Sequence, residues 1–262
     1  MVYDPGAVKK AYAEIAERED QLEKEFSLRN EIPREFIKKY IKPSDVVLDA
    51  GGGSGINAIM MAQDCKRVTL VDISPRLLEL AMSNIQEKGL TEKIDLREGD
   101  ISNLEQFEDG QFSFVICLGG TLSYVLEKGQ QAIQELVRVA RKDAILIIGC
   151  DSKYGFVRWL FNEIEIENQV DEATEVYEAG MYEAGEGVFA HLYTANELSV
   201  LLKNAGCEIL EIGSTPVLNN AWEQSSYPKE NREKLKALEL KFCTVPELVG
   251  VGHHLFCVAR KI

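Results

Sequence analysis

The sequence predicts an α/β domain in which a parallel sheet is covered by helices on both faces. Three observations support this fold class. Apolar, β-rich segments alternate with amphipathic helical segments over residues 46–149. The first apolar segment runs directly into a glycine-rich turn, and two amphipathic helices precede it. Strands that crossover helices bury on both faces appear as short continuous apolar runs, which is the pattern of this chain.

The order of the elements follows from the spacing of the apolar residues. Helical spacing predicts two helices before the first strand, and seven short apolar runs predict seven strands. Amphipathic segments between the strands predict the remaining helices. The predicted strands are 46–49, 68–71, 94–97, 114–118, 144–149, 208–212 and 254–259, and the predicted helices are 7–26, 31–41, 75–88, 130–141, 194–204 and 230–241, with one more beginning at 57–62.

We expect one domain over residues 1–262, because neither a linker rich in Gly, Ser or Pro nor an internal repeat divides the 262 residues. Residues 1–42 form a predicted helical cap, and residues 43–150 form a nucleotide-binding core. Two further cap segments are predicted over 151–190 and 214–250. The first of them is expected to be irregular and acidic.

Composition limits the classes of partner. The formal net charge is −14, and such a field repels phosphate backbones, so a nucleic-acid acceptor is predicted to be unlikely. No apolar run approaches the roughly 20 residues that span a bilayer, so no membrane association is expected. The first residues lack the pattern of a signal peptide, which favours a cytoplasmic location. The six cysteines are scattered and the three histidines are poorly spaced, so no metal site is predicted.

The most informative segment is Val-Val-Leu-Asp-Ala-Gly-Gly-Gly-Ser-Gly at residues 46–55. A buried strand, a glycine turn and then a helix make a nucleotide crevice in an open α/β sheet. Gly51, Gly53 and Gly55 allow the backbone to turn tightly and to approach a ligand closely.

Three carboxylates follow three predicted strands. Asp49 ends the first strand, and Asp72 ends the second, about 20 residues after the turn, where a carboxylate accepts hydrogen bonds from ribose hydroxyls. Asp100 follows the third strand and suits an adenine amino group, with Ile73 and Ile101 packing on the ring. Because parallel strands end at one edge of the sheet, these side chains are expected to line a single crevice.

The glycines alone fit two nucleotides. Gly53, Gly55 and Ala58 also satisfy the G-x-G-x-x-A pattern of NAD-binding domains. An NAD pyrophosphate would lie at the helix N-terminus, where Asp49 would repel it. A cofactor with a cationic amino-acid end would instead favour a carboxylate at that position.

Four motifs in order carry a resemblance to a known family. Residues 47–55, 70–74, 99–101 and 112–118 resemble the successive motifs of the class I S-adenosylmethionine-dependent methyltransferases, and residues 135–141 and 145–149 resemble the helix and strand that follow. The similarity favours a methyltransferase that acts on small molecules and resembles the methyltransferase type 11 group. It implies a Rossmann-like, seven-stranded, mostly parallel sheet with an antiparallel last strand.

The resemblance also implies positions for S-adenosylmethionine and its product S-adenosylhomocysteine. The glycine turn would line the methionine side, Asp72 would bind the ribose, and the third strand would hold the adenine. Two residues of the N-terminal cap, Tyr12 and Arg29, are weaker candidates. The implied cofactor-binding residues are Asp49, Gly51, Gly53, Gly55, Asp72, Ile73, Asp100, Ile101 and Leu118.

Methyl transfer from a sulfonium is an in-line displacement, so the protein mainly aligns the reactants and excludes water. No catalytic residue is compelling. Tyr124 follows the fourth strand, whereas His191 and Tyr193 precede the capped helix at 194; these three are weak candidates. Aromatic residues of the cap segments are candidates for an acceptor pocket: Trp159, Phe161, Tyr177, Tyr182 and Trp222.

The predicted function is therefore S-adenosylmethionine-dependent methyl transfer to a small-molecule acceptor. The acidic, base-free segment 163–186 raises the hypothesis of a cationic acceptor such as an amine. Two alternatives remain open, a protein that binds S-adenosylmethionine without transferring its methyl group and an NAD-dependent dehydrogenase. The acceptor atom and the oligomeric state are not determined by the sequence.

Overall fold

The computed structural model describes residues 1–161, 166–185, 187–218 and 227–262. The described strands are β1 (Val46–Ala50), β2 (Arg67–Asp72), β3 (Ile94–Glu98), β4 (Phe112–Cys117), β5 (Ala140–Asp151), β6 (Met181–Gly185), β7 (Val188–His191), β8 (Cys207–Thr215) and β9 (His254–Lys261). The described helices are α1 (Pro5–Glu14), α2 (Ala16–Lys24), α3 (Leu28–Tyr40), α4 (Ile56–Asp64), α5 (Pro75–Glu87), α6 (Gly129–Val139), α7 (Lys153–Leu160), α8 (Ile166–Ala179), α9 (Ala195–Asn204) and α10 (Lys229–Phe242), with a 3₁₀ helix at Ser123–Lys128.

Seven strands form the main sheet in the order β3-β2-β1-β4-β5-β9-β8. The first five strands pair in parallel, and β9 pairs antiparallel with both β5 and β8. This topology confirms the predicted fold class, including the antiparallel last strand. Successive strands are added on one side of β1 up to β3 and on its other side from β4 onward. Such a switch point between β1 and β4 opens a crevice at the carboxyl ends of the strands.

Alternate residues of the central strands face opposite sides of the sheet, so the core has two layers. Leu48 packs with one cluster, in which Phe112 and Leu136 are fully buried. Its neighbour Val47 packs with the other, which includes Phe114. Helices cover both layers, and this burial on two faces explains why the strands appear as continuous apolar runs.

The N-terminal segment crosses the carboxyl end of the sheet as two short helices rather than as one helix over 7–26. The helical hydrogen bonding breaks at Ile15, between α1 and α2. Polar contacts hold both helices to the core. Lys9 Nζ lies 2.5 Å from Glu98 Oε1, and Arg76 Nη2 lies 2.5 Å from Glu17 Oε1. The segment is thus fixed above the ends of β2 and β3.

Residues 151–190 are more regular than expected. They contain α7, α8 and a hairpin in which β6 and β7 pair antiparallel. A small apolar cluster joins these elements, with Phe156, Leu160 and Val176 buried against one another. These helices and the hairpin were not predicted because acidic residues dominate the composition of the segment. Its apolar face is only a few side chains wide.

The cysteines and the helices bear on two further expectations. All six cysteines are buried as free thiols. Among the described residues, no helix is both long enough and apolar enough to cross a lipid bilayer.

Candidate functional site

One crevice lies at the carboxyl ends of β1 to β4, beneath α1 and α2. It consists of two adjoining hollows that share Glu19, Glu23 and Arg29 along their common border. The residues predicted from the sequence that line it are Tyr12, Arg29, Asp49, Gly51, Gly53, Asp72, Ile73, Asp100, Ile101, Leu118 and Tyr124.

The glycine turn forms the floor of the crevice. Gly51 and Gly53 have φ angles of 72° and 54°, in the left-handed region that strains residues with a side chain. The amide groups of Gly51 and Gly52 donate to the Val71 carbonyl at 2.7 and 3.1 Å, which ties the turn to the end of β2. Gly55, with φ of 84°, caps the N-terminus of α4 and does not line the crevice.

Asp72 is buried and held by the backbone on both sides. Its Oδ2 accepts a hydrogen bond from the Gly53 amide at 2.9 Å, and its Oδ1 accepts one from the Ser74 amide at 2.8 Å. Burial raises the pKa of this carboxyl, and the two backbone donors oppose that rise. The carboxylate is therefore oriented before any ligand arrives.

Asp100 is oriented in a similar way at the end of β3. Oδ1 accepts from the Ser102 amide at 2.7 Å, and Oδ2 accepts from the Tyr3 hydroxyl at 2.9 Å. Ile73 and Ile101 line the same hollow. Tyr3 thus brings the N-terminal segment into direct contact with this part of the crevice.

Asp49 and Glu23 form a contrasting pair beside the glycine turn. Asp49 is only 2% exposed, and among the described residues nothing donates a hydrogen bond to its Oδ2. Glu23 accepts from the Ser54 hydroxyl at 2.7 Å. Burial, together with the charges of Glu23 and Asp72, raises the pKa of Asp49 to about 8. Burial, with the charge of Glu19, raises the pKa of Glu23 to about 7.

The end of β4 forms the wall opposite the carboxylates of β2 and β3. Leu118, Gly119 and Gly120 line the crevice there, and the Thr121 hydroxyl donates to the Leu118 carbonyl at 3.1 Å. Tyr124 lies just beyond, with its ring edge-on to that of Tyr12 and the centroids 5.4 Å apart.

Asp151 lies behind this wall, at the end of β5. It is 2% exposed, and its Oδ1 is 2.9 Å from His254 Nδ1. The Tyr182 hydroxyl donates to Oδ2 at 3.3 Å, and it lies 3.4 Å from the Tyr124 hydroxyl. A continuous set of polar side chains therefore runs from the crevice wall to the start of β9.

Two of the weak catalytic candidates lie away from the crevice. His191 and Tyr193 contact one another, with ring centroids 4.4 Å apart, and neither belongs to the crevice lining. Tyr193 is buried, and its backbone bonds to Asp151 and Lys153. The side chain of Tyr193 thus belongs to the core, and only Tyr124 of the three lies at the crevice.

The aromatic residues predicted for the cap have mixed positions. Trp159 and Tyr182 line a separate hollow beside α7 and α8, outside the crevice, whereas Phe161 and Tyr177 are about half exposed. Trp222 and part of the acidic segment 163–186 lie outside the described residues.

Sequence reasoning missed five residues at or near the crevice: Tyr3, Glu23, Asp151, His253 and His254. A signal for Asp151 existed, because it ends an apolar strand as Asp49 and Asp72 do. The histidines begin a strand that runs antiparallel and so starts at the same edge. Tyr3 and Glu23 had no signal, since amphipathic spacing does not show where a helix docks.

The comparisons with known proteins agree with this geometry. A family model described as a methyltransferase domain matches residues 47–143. The Escherichia coli tRNA 5-carboxymethoxyuridine methyltransferase is 24% identical over 221 residues, which is 82% of this chain and 79% of the relative. The ribosomal protein L11 methyltransferase of Thermosipho africanus is 30% identical over 122 residues, covering 45% of this chain and 43% of the relative.

Two solved structures share the fold over nearly the whole chain. A Thermotoga maritima S-adenosylmethionine-dependent methyltransferase superposes with a TM-score of 0.62 at 17% identity, covering 97% of this chain and 99% of that one. The [4+2]-cyclase SpnF gives a TM-score of 0.65 at 17% identity, covering 99% and 97%. At this identity the likeness concerns the fold, since one fold hosts different reactions.

These relatives correct one expectation. The sequence predicted a small-molecule acceptor and an unlikely nucleic-acid acceptor. The argument against nucleic acid is wrong, because the relatives include enzymes named for tRNA and for a ribosomal protein. The prediction rested on a net charge of −14, which sums over the whole chain. Such a sum does not describe the local field at one edge of a sheet.

Proposed function

We propose that this chain, in which a methyltransferase domain matches residues 47–143, is a class I S-adenosylmethionine-dependent methyltransferase that holds its methyl donor in a specific position. S-adenosylmethionine lies along the crevice with its adenine at Asp100 and Ile101 and its ribose at Asp72. Its methionine end lies at the glycine turn, beside Asp49 and Glu23. This orientation disfavours the dehydrogenase alternative, because its pyrophosphate would lie beside the carboxyl group of Asp49, which offers it no positive charge.

The observation that carries the proposal is the state of Asp49. Its Oδ2 is buried and lacks a hydrogen-bond donor among the described residues. A buried carboxylate oxygen without a partner is strongly unfavourable, and a ligand ammonium group would supply the missing donor. Glu23 gives the same end of the crevice a second carboxylate. The donor set therefore fits a cationic amino-acid end.

S-adenosylmethionine, when bound, supplies a methyl group already activated by the adjacent sulfonium. The residues of the chain bind, orient and enclose the reactants. The backbone-held carboxylate of Asp72 is preorganised to accept the ribose hydroxyls. The two N-terminal helices cover the crevice and exclude water, which strengthens every polar contact inside it.

A thermal-shift comparison tests the donor. S-adenosylmethionine and S-adenosylhomocysteine are expected to raise the melting temperature, because a ligand that binds only the folded state stabilises it. NAD at the same concentration is expected to leave it unchanged. Stabilisation by NAD alone would contradict the proposed donor.

We further propose that the acceptor is a base of tRNA. The match to the E. coli tRNA enzyme extends over 221 residues, and so well beyond the domain at 47–143. The match to the L11 enzyme extends over 122 residues. Segments outside the core cover the acceptor side of the crevice, so a match that includes them bears on the acceptor more than a match to the core does.

Transfer of a radiolabelled methyl group tests the acceptor. The enzyme is incubated with labelled S-adenosylmethionine and, in separate reactions, with unfractionated tRNA, ribosomal protein L11 or a panel of small amines and phenols. Label is expected in tRNA, with a rate that falls as salt rises, because phosphate contacts are screened. Label in protein or in small molecules, with none in tRNA, would contradict this acceptor.

A further inference from the structure

Three buried polar side chains meet where the ends of β5 and β9 pair. Asp151 lies directly opposite His254 in the antiparallel register, and His253 immediately precedes β9. Their exposed fractions are 2%, 7% and 8%. The backbone of Asp151 is fixed as well, since its amide donates to the Ser123 hydroxyl at 2.9 Å. Buried polar groups of this kind are stable only when they are hydrogen-bonded.

The distances place the three side chains in a series of close polar contacts. Asp151 Oδ1 lies 2.9 Å from His254 Nδ1, and His254 Nε2 lies 3.1 Å from His253 Nδ1. Burial lowers the pKa of both imidazoles, so each is neutral and carries one ring hydrogen. One arrangement satisfies both distances. His253 donates from Nδ1 to His254, and His254 donates from Nδ1 to the ionised Asp151.

The carboxylate of Asp151 also lies beside the crevice wall, and Oδ2 is the nearer of its two oxygens to Gly120. A methyl group on Gly120 would come within 3.1 Å of Oδ2, so the carboxylate lies against the backbone that lines the crevice. The Tyr182 hydroxyl, at 3.3 Å, is a long hydrogen bond that leaves room for a further donor. Thus Oδ1 contacts His254, while Oδ2 lies close to Gly120, whose backbone lines the crevice.

We propose that Asp151 Oδ2 receives the proton of the methyl acceptor, and that His254 and His253 are positioning residues that hold the carboxylate for this task. The inference rests on the proposed methyl transfer in the crevice. It implies that the acceptor atom is a nitrogen or an oxygen that carries a hydrogen. Its lone pair forms the new bond to the methyl carbon as the carbon–sulfur bond breaks and sulfur keeps that electron pair. The acceptor's proton passes to Asp151 and leaves to water after the product has left.

Charged and titratable groups surround Asp151 from several elements. Burial by itself would raise the pKa of Asp151, but the hydrogen bond from His254, with the charge of Arg29, holds it below its usual value. The tyrosines are neutral donors, because burial raises their pKa values. The groups concerned are Tyr12 on α1, Arg29 on α3, Tyr124 on the 3₁₀ helix, Tyr182 on β6, and His253 and His254 at the start of β9.

A metal centre is the competing assignment for the same side chains. Each offers one ligand atom, and these atoms lie within 4.8 Å of one another. Two histidines and a carboxylate suit zinc or ferrous iron. The hydrogen-bonded chain accounts for the separations of 2.9 and 3.1 Å with both ring nitrogens of His254 in use. The sequence-based prediction of no metal site thus remains a prediction, which elemental analysis decides.

The first test needs neither an acceptor nor a variant. The protein has three histidines, so nitrogen-15 NMR resolves each ring in the full-length protein saturated with S-adenosylhomocysteine. If His253, His254 and Asp151 are linked by hydrogen bonds, both histidines carry their hydrogen on Nδ1 at pH 7. The protein should then contain less than a tenth of an equivalent of zinc or iron by mass spectrometry. A cationic ring, an Nε2–H tautomer at His254 or stoichiometric metal would overturn the proposal.

The second test uses kinetics with unfractionated tRNA as the acceptor. Asp151→Asn is expected to lower kcat by about 100-fold or more, the usual effect of losing a proton acceptor, while the Kd for S-adenosylmethionine changes less than twofold. Asp143→Asn, the same substitution near the other end of β5, should leave both unchanged. Retention of half the wild-type kcat in Asp151→Asn would overturn the proposal.

His254→Gln separates positioning from a structural role. Loss of the donor to Oδ1 raises the pKa of Asp151, so the acid limb of the kcat profile should move to higher pH. A uniform fall in kcat with an unmoved limb would show that His254 acts only in packing, which contradicts its assigned role. Inactivity of the wild type with tRNA would contradict the proposed acceptor. The NMR test would still show whether His253, His254 and Asp151 are hydrogen-bonded as proposed.

Discussion

The two ends of the crevice hold their carboxylates in opposite ways. At the adenosine end, defined by Asp72 and Asp100, every carboxylate oxygen already accepts a hydrogen bond from the protein. At the methionine end, defined by Asp49 and Glu23, one buried oxygen has no donor among the described residues and both pKa values are raised. The adenosine end is preorganised, whereas the methionine end depends on its ligand for neutralisation.

The largest expected effect is at the adenosine end. Asp72→Ala removes the proposed acceptor of the ribose hydroxyls and leaves two backbone amides without a partner. The affinity for S-adenosylmethionine should fall by more than about tenfold, or 1.4 kcal/mol, by calorimetry. Asp95→Ala, which removes an exposed carboxylate from neighbouring β3, is the control and should bind normally. An affinity in Asp72→Ala within threefold of the wild type would contradict the assignment of the ribose site.

The second prediction concerns the stability of the ligand-free protein. Asp49 has a raised pKa of about 8 when folded and an ordinary one when unfolded, so the folded state holds the proton more tightly. Stability should therefore fall as pH rises from about 4 toward 8, since the unfolded state loses its proton first.

Asp49→Asn removes this titration and tests the argument. Its melting temperature should exceed that of the wild type at pH 8 by at least about 2–4 °C, the shift that 1 kcal/mol produces in a domain of this size. The gap should close toward pH 4. Asp72→Asn is the contrasting variant and should not gain stability, because both oxygens of Asp72 accept backbone hydrogen bonds and an amide nitrogen cannot accept one of them. A melting temperature for Asp49→Asn below that of the wild type at pH 8 would contradict the description of the methionine end.

The carboxylates at the ends of the strands were readable from the sequence for a physical reason. Asp49, Asp72 and Asp100 each follow a β-rich segment, and parallel strands bring such positions to one edge. The same reasoning would have reached Asp151, which ends β5. It would have reached the histidines only once β9 was known to run antiparallel, because its first residues then lie at that edge.

The covering of the crevice could not be read from the sequence in the same way. Amphipathic spacing predicted a helix over residues 7–26, but not the break at Ile15 or the surface on which α1 and α2 dock. Tyr3 and Glu23 reach the crevice through long-range contacts to Asp100 and Ser54. Contacts between residues so distant in the chain leave no local pattern. The hairpin of β6 and β7 was missed because its strands are short and its surroundings acidic.

A smaller effect is expected where the N-terminal segment touches the adenosine end. Tyr3→Phe removes the hydroxyl that donates to Asp100. The affinity for S-adenosylmethionine should fall by about two- to tenfold, in line with a net hydrogen-bond contribution of about 0.5–1.5 kcal/mol. Tyr154→Phe, at an exposed tyrosine of α7, is the control. Tighter binding by Tyr3→Phe would show that the hydroxyl competes with the ligand for Asp100 instead of orienting it.

The smallest effect is expected at the surface contact between α2 and α5. Arg76→Gln breaks an exposed ion pair with Glu17, and such pairs contribute little because water and salt screen them. Binding of S-adenosylmethionine should weaken by less than about fivefold and approach the wild-type value at high salt, where the pair is already screened. A loss as large as that of Asp72→Ala would mean that closure of the N-terminal segment, and not the adenosine end, dominates binding.

The central claim is that the carboxylates of the methionine end are partly protonated until a cation arrives. Calorimetry of S-adenosylmethionine binding at pH 7, in buffers with different ionisation heats, measures the protons released. We expect the wild type to release about one proton, because the ligand charge lowers the raised pKa values of Glu23 and Asp49. Glu23→Gln should release fewer. Binding with no proton release, or with uptake, would contradict the claim.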